Sequence, residues 1–275
     1  MTIATSKEIH DALIMSGIKE HYEESLLHFP EERIIGIFCQ GSQNYGLDYE
    51  LSDLDTKLII APTLDQIAFN ESPISTTHVR ENNEHIDFKD VRLYIETFRK
   101  QNLNFLEILF TDFKIVNPIY ADFWNVLVDN RELVARYNPF RAVKSMKGIA
   151  EEKFHALEHP YPSKLDIIQH YGYDAKQLHH LLRVEDYIER YINGESYENC
   201  LKPTDKEYLM MVKRFGYTLA EARLVAENSI AHVRKMADAF CEATPDDPNK
   251  KVEEMFKEVQ YDIIKKSLKI ELLKS

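Results

Sequence analysis

The sequence has no run of about 18 uncharged apolar residues, so hydropathy excludes a transmembrane helix. Its amino-terminal stretch, MTIATSKEIHDAL, is too polar and acidic for a secretory leader, and the expectation is a cytoplasmic protein. Cysteine is scarce: Cys39, Cys200 and Cys241 are odd in number, far apart and without a Cys-x-x-Cys pair, which argues against a disulfide framework, a zinc site or a dithiol centre. There is no internal repeat and no low-complexity stretch. Positive charge is also short, with 34 Lys and Arg against 46 Asp and Glu and a formal net charge of -12. Proteins that wrap a long duplex draw much of their affinity from many Lys and Arg contacts, so that class is disfavoured, although a local basic patch is not. The acidity suits a carboxylate site for divalent cations, but solubility alone accounts for it in many proteins.

What is present is enough chain for a proper core: 275 residues, 44% of them hydrophobic, fit one large domain or two modest ones. Ile9, Leu13, Ile18, Tyr22 and Leu26 recur at helical spacing between Lys7 and Phe29, with Ser6 as N-cap, Pro30 as stop and Gly17 as a potential break. "RIIGIFCQ" (33–40) reads as a buried strand, "GSQNYG" as a turn and "DLDTKLIIAP" (53–62) as a second strand. Strands near Thr76 and His85 flank a polar loop, Glu81 to Glu84, and make a hairpin. From Val91 the pattern is helical, and past Pro118 only helices are expected. The prediction is an α+β chain. A mixed-sheet domain with flanking helices spans 1–118, and an all-helical domain spans 119–275.

The chemistry concentrates in "GSQNYGLDYELSDLDTKLII" (41–60). Successive strand side chains alternate between faces, so Asp53 and Asp55 share one face, roughly 7 Å apart at Cα, while Leu54 faces the core. Two carboxylates so placed repel unless a cation lies between them, and hard oxygen ligands suit Mg²⁺ or Mn²⁺. Magnesium usually completes its shell with water and substrate phosphates. A glycine at the strand exit lets backbone N–H groups approach a phosphate, and Ser42 adds a hydroxyl beside Gly41. In "HIDFKDV", Ile86 and Phe88 would face the core, so Asp87 is the candidate for a third carboxylate. Asp90 reads first as a helix N-cap.

These residues carry a resemblance. Gly41-Ser42, Gly46, then Asp53-x-Asp55, with Asp87 on a later strand, resemble the polymerase-beta-type nucleotidyltransferase superfamily. The match is closer to the branch of predicted nucleotidyltransferases named RlaP for their association with RNA ligases, whose segment reads "GSRxYG...SDxD". Here Gln43 replaces the usual Arg. "KQNLNFLEILF" (100–110) is similar to that branch's Asn-Pro-Asn-x-x-Glu-x-Leu-Phe stretch, with Leu103 for the proline. "YDAKQLHHLLR" (173–183) is similar to its helical motif at Lys176, His180 and Arg183. The likeness spans roughly residues 33 to 225.

The resemblance implies a transferase that moves a nucleoside monophosphate from an NTP such as ATP to a hydroxyl. It implies two Mg²⁺ or Mn²⁺ ions on Asp53, Asp55 and Asp87, with nucleotide phosphates on the Gly41-Ser42 turn and Gly46. Two such ions stabilise the entering and leaving oxygens of an in-line displacement. Lys176, His180 and Arg183, at i, i+4 and i+7, share a helix face and are candidates to neutralise the triphosphate. The acceptor would be an RNA end, as in RNA repair, or a tRNA; the alternatives are a protein or small molecule, or a module that binds nucleotide without catalysis.

Each motif has a plainer reading. Asp-x-Asp alone can be the polar face of a sheet, and Lys176, His180 and Arg183 a solvated helix face. His179 reads as packing or surface. Asn102, Asn104 and Glu107 read as caps and braces. His155 and His159 have metal-compatible spacing but no third ligand nearby. Lys144, Lys147 and Lys153 read as one face of an amphipathic helix or as a nucleic-acid contact.

Overall fold

The computed structural model describes residues 5–49 and 52–274. The first four residues of the segment read as lacking a leader lie outside that range. The first half runs α1 (Ser6–Ser25), β1 (Ile34–Gln40), β2 (Asp55–Ile60), α2 (Leu64–Ala68), β3 (Ser75–Val79), β4 (His85–Asp90), α3 (Val91–Arg99), α4 (Leu103–Leu106) and β5 (Lys114–Val116). Helices follow: α5 (Ala121–Asp129), α6 (Arg131–Ala135), α7 (Pro139–Ala156), α8 (Leu165–Tyr171), α9 (Ala175–Ile192), α10 (Tyr197–Leu201), α11 (Lys206–Lys213), α12 (Leu219–Ala243) and α13 (Lys250–Lys274). The fold is α+β, with a mixed five-stranded sheet, flanking helices and a helical carboxy-terminal region.

Sheet order is β3-β4-β2-β1-β5, with β2 and β4 parallel and the other pairs antiparallel. The parallel register sets Lys57 beside Asp87. One face, covered by α1, is closed by Ile14, Ile18, Ile37, Leu54, Leu58, Ile86 and Phe88. Strand alternation therefore sends Asp55, Lys57, His85, Asp87 and Lys89 to the opposite face, toward the helices. The larger apolar cluster starts on that face at Ile35, Phe38 and Ile59 and continues without a break through Trp124, Leu178 and Tyr187 to Ile263. It takes residues from both sides of position 118. α13 returns to pack on α5 and α3, where Arg99 holds Glu253 through two 3.0 Å hydrogen bonds.

Several local expectations need correction. α1 runs unbroken through Gly17, whose missing side chain leaves the room that Leu54 takes: a Cβ there would lie 2.5 Å from Leu54 Cδ2. Its N-cap is Thr5, which forms a capping box with Glu8, one residue earlier than expected. The Asp53–Pro62 strand is shorter, Asp55–Ile60. The stretch from Asp166 to Ile192 is two helices, since Gly172 takes a left-handed φ of 82° and Asp174 caps α9 anew. β5 departs from the helical pattern expected after Val91; it is three residues long, without room for a periodic signal.

Gly36 tests the packing of β1. An added Cβ would meet the Phe38 ring at 2.9 Å and the Ile115 carbonyl oxygen at 3.0 Å. The carbonyl belongs to the paired strand β5 and is not free to step aside. Gly36→Val is expected to cost about 1–3 kcal/mol, read as a lowered urea midpoint; an unchanged midpoint would contradict this packing.

Candidate active site

β1 ends at Gln40, and Gly41, with φ 89° and ψ -147°, turns the chain into a short 3-10 turn, Ser42–Tyr45. That φ is strained for any residue with a Cβ. Gly46, at φ 64°, closes the turn through its N–H to Ser42 O, with Lys206 Nζ where a Cβ would stand. Asn44 straps the turn, donating to Cys39 O at 3.0 Å and accepting from Thr111 Oγ1 at 2.6 Å. Gln43, at the position where the resemblance has Arg, is buried and donates to the Asp53 carbonyl at 2.8 Å. It ties the turn to the carboxylate segment.

Asp53 is exposed, and its carboxylate has no hydrogen-bond or ion-pair partner among the described residues. Asp55 opens β2; its Oδ1 accepts from the His85 backbone N–H at 3.0 Å and lies 3.1 Å from His85 Nδ1. Both line a cleft of about 430 Å³ between the end of β1 and start of β2, the two adjacent inner strands, and α7, α9 and α11, together with Gly41, Ser42, Phe105 and Glu107. Lys57, Lys153, Lys176, Arg183 and Lys213 supply its positive side, and His179 and His180 complete that wall.

Asp87 is held apart from this group. Its carboxylate accepts from Thr77 Oγ1 at 2.7 Å and pairs with Lys57 Nζ at 3.4 Å, and it does not line the cleft. Gly46 is likewise absent from the lining. Among the described residues, no three His, Cys, Asp or Glu side chains gather as a metal-binding group. Of the three carboxyls that line the cleft, Glu107 is buried and engaged by the Gly41 N–H, which leaves Asp53 and Asp55 as the hard donors open to a cation. Two hard carboxylates fit magnesium, which commonly takes one or two and fills its shell with water and phosphate oxygens.

Burial shapes the cationic wall. Desolvation lowers the pKa of Lys57, opposed by Asp87, and its ammonium also sits 4.4 Å from the Phe105 ring centroid. Lys213 is lowered by burial and by Lys176, and donates to Leu47 O at 2.9 Å. Lys153 has Glu152 at 2.8 Å, and Lys176 is exposed. Arg183, 9% exposed, lies over the Tyr45 ring at 3.7 Å and has no ion pair or hydrogen bond among the described residues. Burial lowers its pKa, but guanidinium stays protonated in proteins. His180 is pushed well below the usual imidazole range by desolvation, then by Arg183 and other cations, and is neutral.

Other candidates resolve simply. Asp90 is buried as the N-cap of α3, accepting from Arg92 N at 2.8 Å and from the Arg92 side chain. Asn102 caps α4, whereas Asn104 and Glu107 face the cleft. His155 and His159 are exposed outside it, and Lys147 pairs with Asp238. Lys57 and Lys213 went unread in sequence. Lys57 carried a signal, two residues beyond Asp55 on the same face; Lys213, far along the chain, carried none.

No protein-family model matches this chain, and no curated protein is similar to it in sequence. Among solved structures it is similar to a nucleotidyltransferase-like protein from Exiguobacterium sibiricum 255-15. The identity is 10%, the match covers 82% of this chain and 75% of that one, and the TM-score is 0.30. So loose an overlap carries no functional argument.

His179 gives the site a pH signature. It is buried, its Nδ1–H donates to Leu209 O at 2.9 Å, and burial lowers its pKa to about 4. A histidine depressed on folding favours the folded state above its unfolded pKa and loses that contribution as pH falls toward the folded value. The loss between pH 6.5 and 4 is of order 3 kcal/mol. Urea midpoints at pH 7 and 4.5 should fall less in His179→Gln than in the wild type; equal falls would remove His179 as the cause.

Proposed function

We propose that the protein is a divalent-metal-dependent nucleotidyltransferase that moves a nucleoside monophosphate from an NTP to a hydroxyl, with an RNA end as acceptor. The observation that carries this reading is one cleft in which Asp53 and Asp55 share space with five cationic side chains, in a chain of net charge -12. Asp53 and Asp55 form no ion pair with any of these five cations, although Lys57 and Lys153 have carboxylate partners of their own, and such a mixture suits a polyanion that arrives with a cation.

Asp53 and Asp55 would hold Mg²⁺ or Mn²⁺, which supplies charge stabilisation at the reacting phosphate. Arg183, Lys176 and Lys213 take the triphosphate charge, and Ser42 donates its hydroxyl to a phosphate oxygen. Neutral His180 serves as a hydrogen-bonding wall. The acceptor oxygen bonds to the α-phosphorus as the bond to the pyrophosphate oxygen breaks; pyrophosphate leaves and the hydroxyl proton goes to solvent. Asp87 would be the third ligand, a role that requires it to exchange its Lys57 contact for an ion. The net charge favours a second acceptor class, a protein side chain, over long nucleic acid.

Incubation with α-labelled NTPs, Mg²⁺ or Mn²⁺, and a tRNA pool or cell lysate reads the acceptor directly, as label in RNA or in protein. Label in neither, with every NTP and both metals, would overturn the enzymatic reading. Asp53→Asn and Asp55→Asn are each expected to lower transfer by about 10²-fold or more with unchanged urea midpoints. Asp87→Asn should lower turnover more than nucleotide affinity.

A further inference from the structure

The floor of the cleft holds a carboxyl that the transfer step does not use. Glu107 sits in the 3-10 turn Glu107–Leu109 after α4 and is 4% exposed. Its Oε1 accepts from the Gly41 N–H at 3.2 Å, so it grips the first residue of the Gly-Ser turn from below. The groups that face it are the Arg183 guanidinium from α9, the Cys39 thiol from β1 and the Tyr197 phenol from α10. Burial raises the pKa of the thiol and of the phenol and keeps both uncharged, so Arg183 is the one charge among them. Arg183 in turn has no carboxylate in ion-pair contact among the described residues and opens onto the cleft.

Burial favours the neutral acid and pushes Glu107 up to about 8, while Arg183 and the Gly41 N–H oppose it. A polyphosphate drawn to Arg183 removes that opposing charge and adds negative charge of its own. Both changes favour the protonated carboxyl. The neutral acid still accepts from Gly41 through its carbonyl oxygen, and it gains an O–H donor.

We propose that Glu107 is a positioning residue of the Gly41-Ser42 turn whose protonation is coupled to polyphosphate binding: one proton from solvent adds to its carboxylate as the ligand engages Arg183. This rests on reading the cleft as a nucleotide site. Coupling of this kind is reciprocal, so the ligand must bind more weakly as pH rises and the carboxylate form becomes dominant in the empty cleft.

The test is calorimetric titration of metal-free protein with ATP and with inorganic tripolyphosphate at pH 8.5, in buffers of different ionisation enthalpy. Wild type should take up roughly half to one proton per ligand, and its Kd should weaken about tenfold from pH 7 to pH 9. Glu107→Gln, which keeps an acceptor for Gly41, should bind without that uptake and with a flatter pH profile. Binding without proton uptake, or equal uptake in Glu107→Gln, overturns the inference and leaves the nucleotide reading standing. Absence of binding by the wild type, with or without Mg²⁺, overturns the nucleotide reading itself. Should Glu107→Gln fail to fold, infrared difference spectra of the wild type decide. A protonated-carboxyl band that appears with ATP supports the coupling, and its absence overturns it.

Discussion

Leu54 seated in the apolar face, against the gap left by Gly17, is the contact on which the cleft depends. Leu54 stands just ahead of β2, and seating it in the apolar layer fixes the register in which the chain enters that strand, with Asp53 and Asp55 on either side of it lining the cleft. Backbone contacts hold that register from both sides. Gln43 grips the Asp53 carbonyl, and His85 N–H meets Asp55. Behind the sheet, buried His21 bonds Thr56 and Glu84, and Arg80 links Glu84 to Glu24 on α1. The two carboxylates are placed by groups that take no part in chemistry.

The opposite wall is built by long-range packing. Lys153, Arg183 and Lys213 come from α7, α9 and α11, helices joined in the large apolar cluster. Their charges are only partly compensated: Lys153 has Glu152 and Lys57 has Asp87, whereas Arg183 rests on an aromatic face. Low-dielectric walls lined with one sign of charge focus potential into a cleft. An acidic protein thus presents a locally basic site: whole-chain charge bears on long polyanions that would run over the surface, and the cleft's own cations on what enters it.

Legibility followed the range of the interaction. The hairpin, the Asp90 cap and the glycine turn are local, set by turn chemistry and capping, and were readable in sequence. The break at Gly172 was hidden because the apolar pattern continues on both sides of it. The role of Gly17 as a packing gap inside α1 was hidden because it answers to Leu54, nearly forty residues away. Gln43 illustrates the same limit. By resemblance alone it is a lost arginine, and its bond to the Asp53 carbonyl appears only once the turn and β2 lie side by side.

By itself, the sequence determined the α+β class and the close spacing of Asp53 and Asp55 at the entry to β2, because backbone geometry acts within a few residues. Tertiary structure alone decided that Lys176, His180 and Arg183 meet those carboxylates across a cleft while Asp87 is drawn to Lys57. It also decided that Glu107 lies buried beneath Gly41. Those outcomes depend on which charges burial brings within reach of one another, a quantity set by the packing of distant segments.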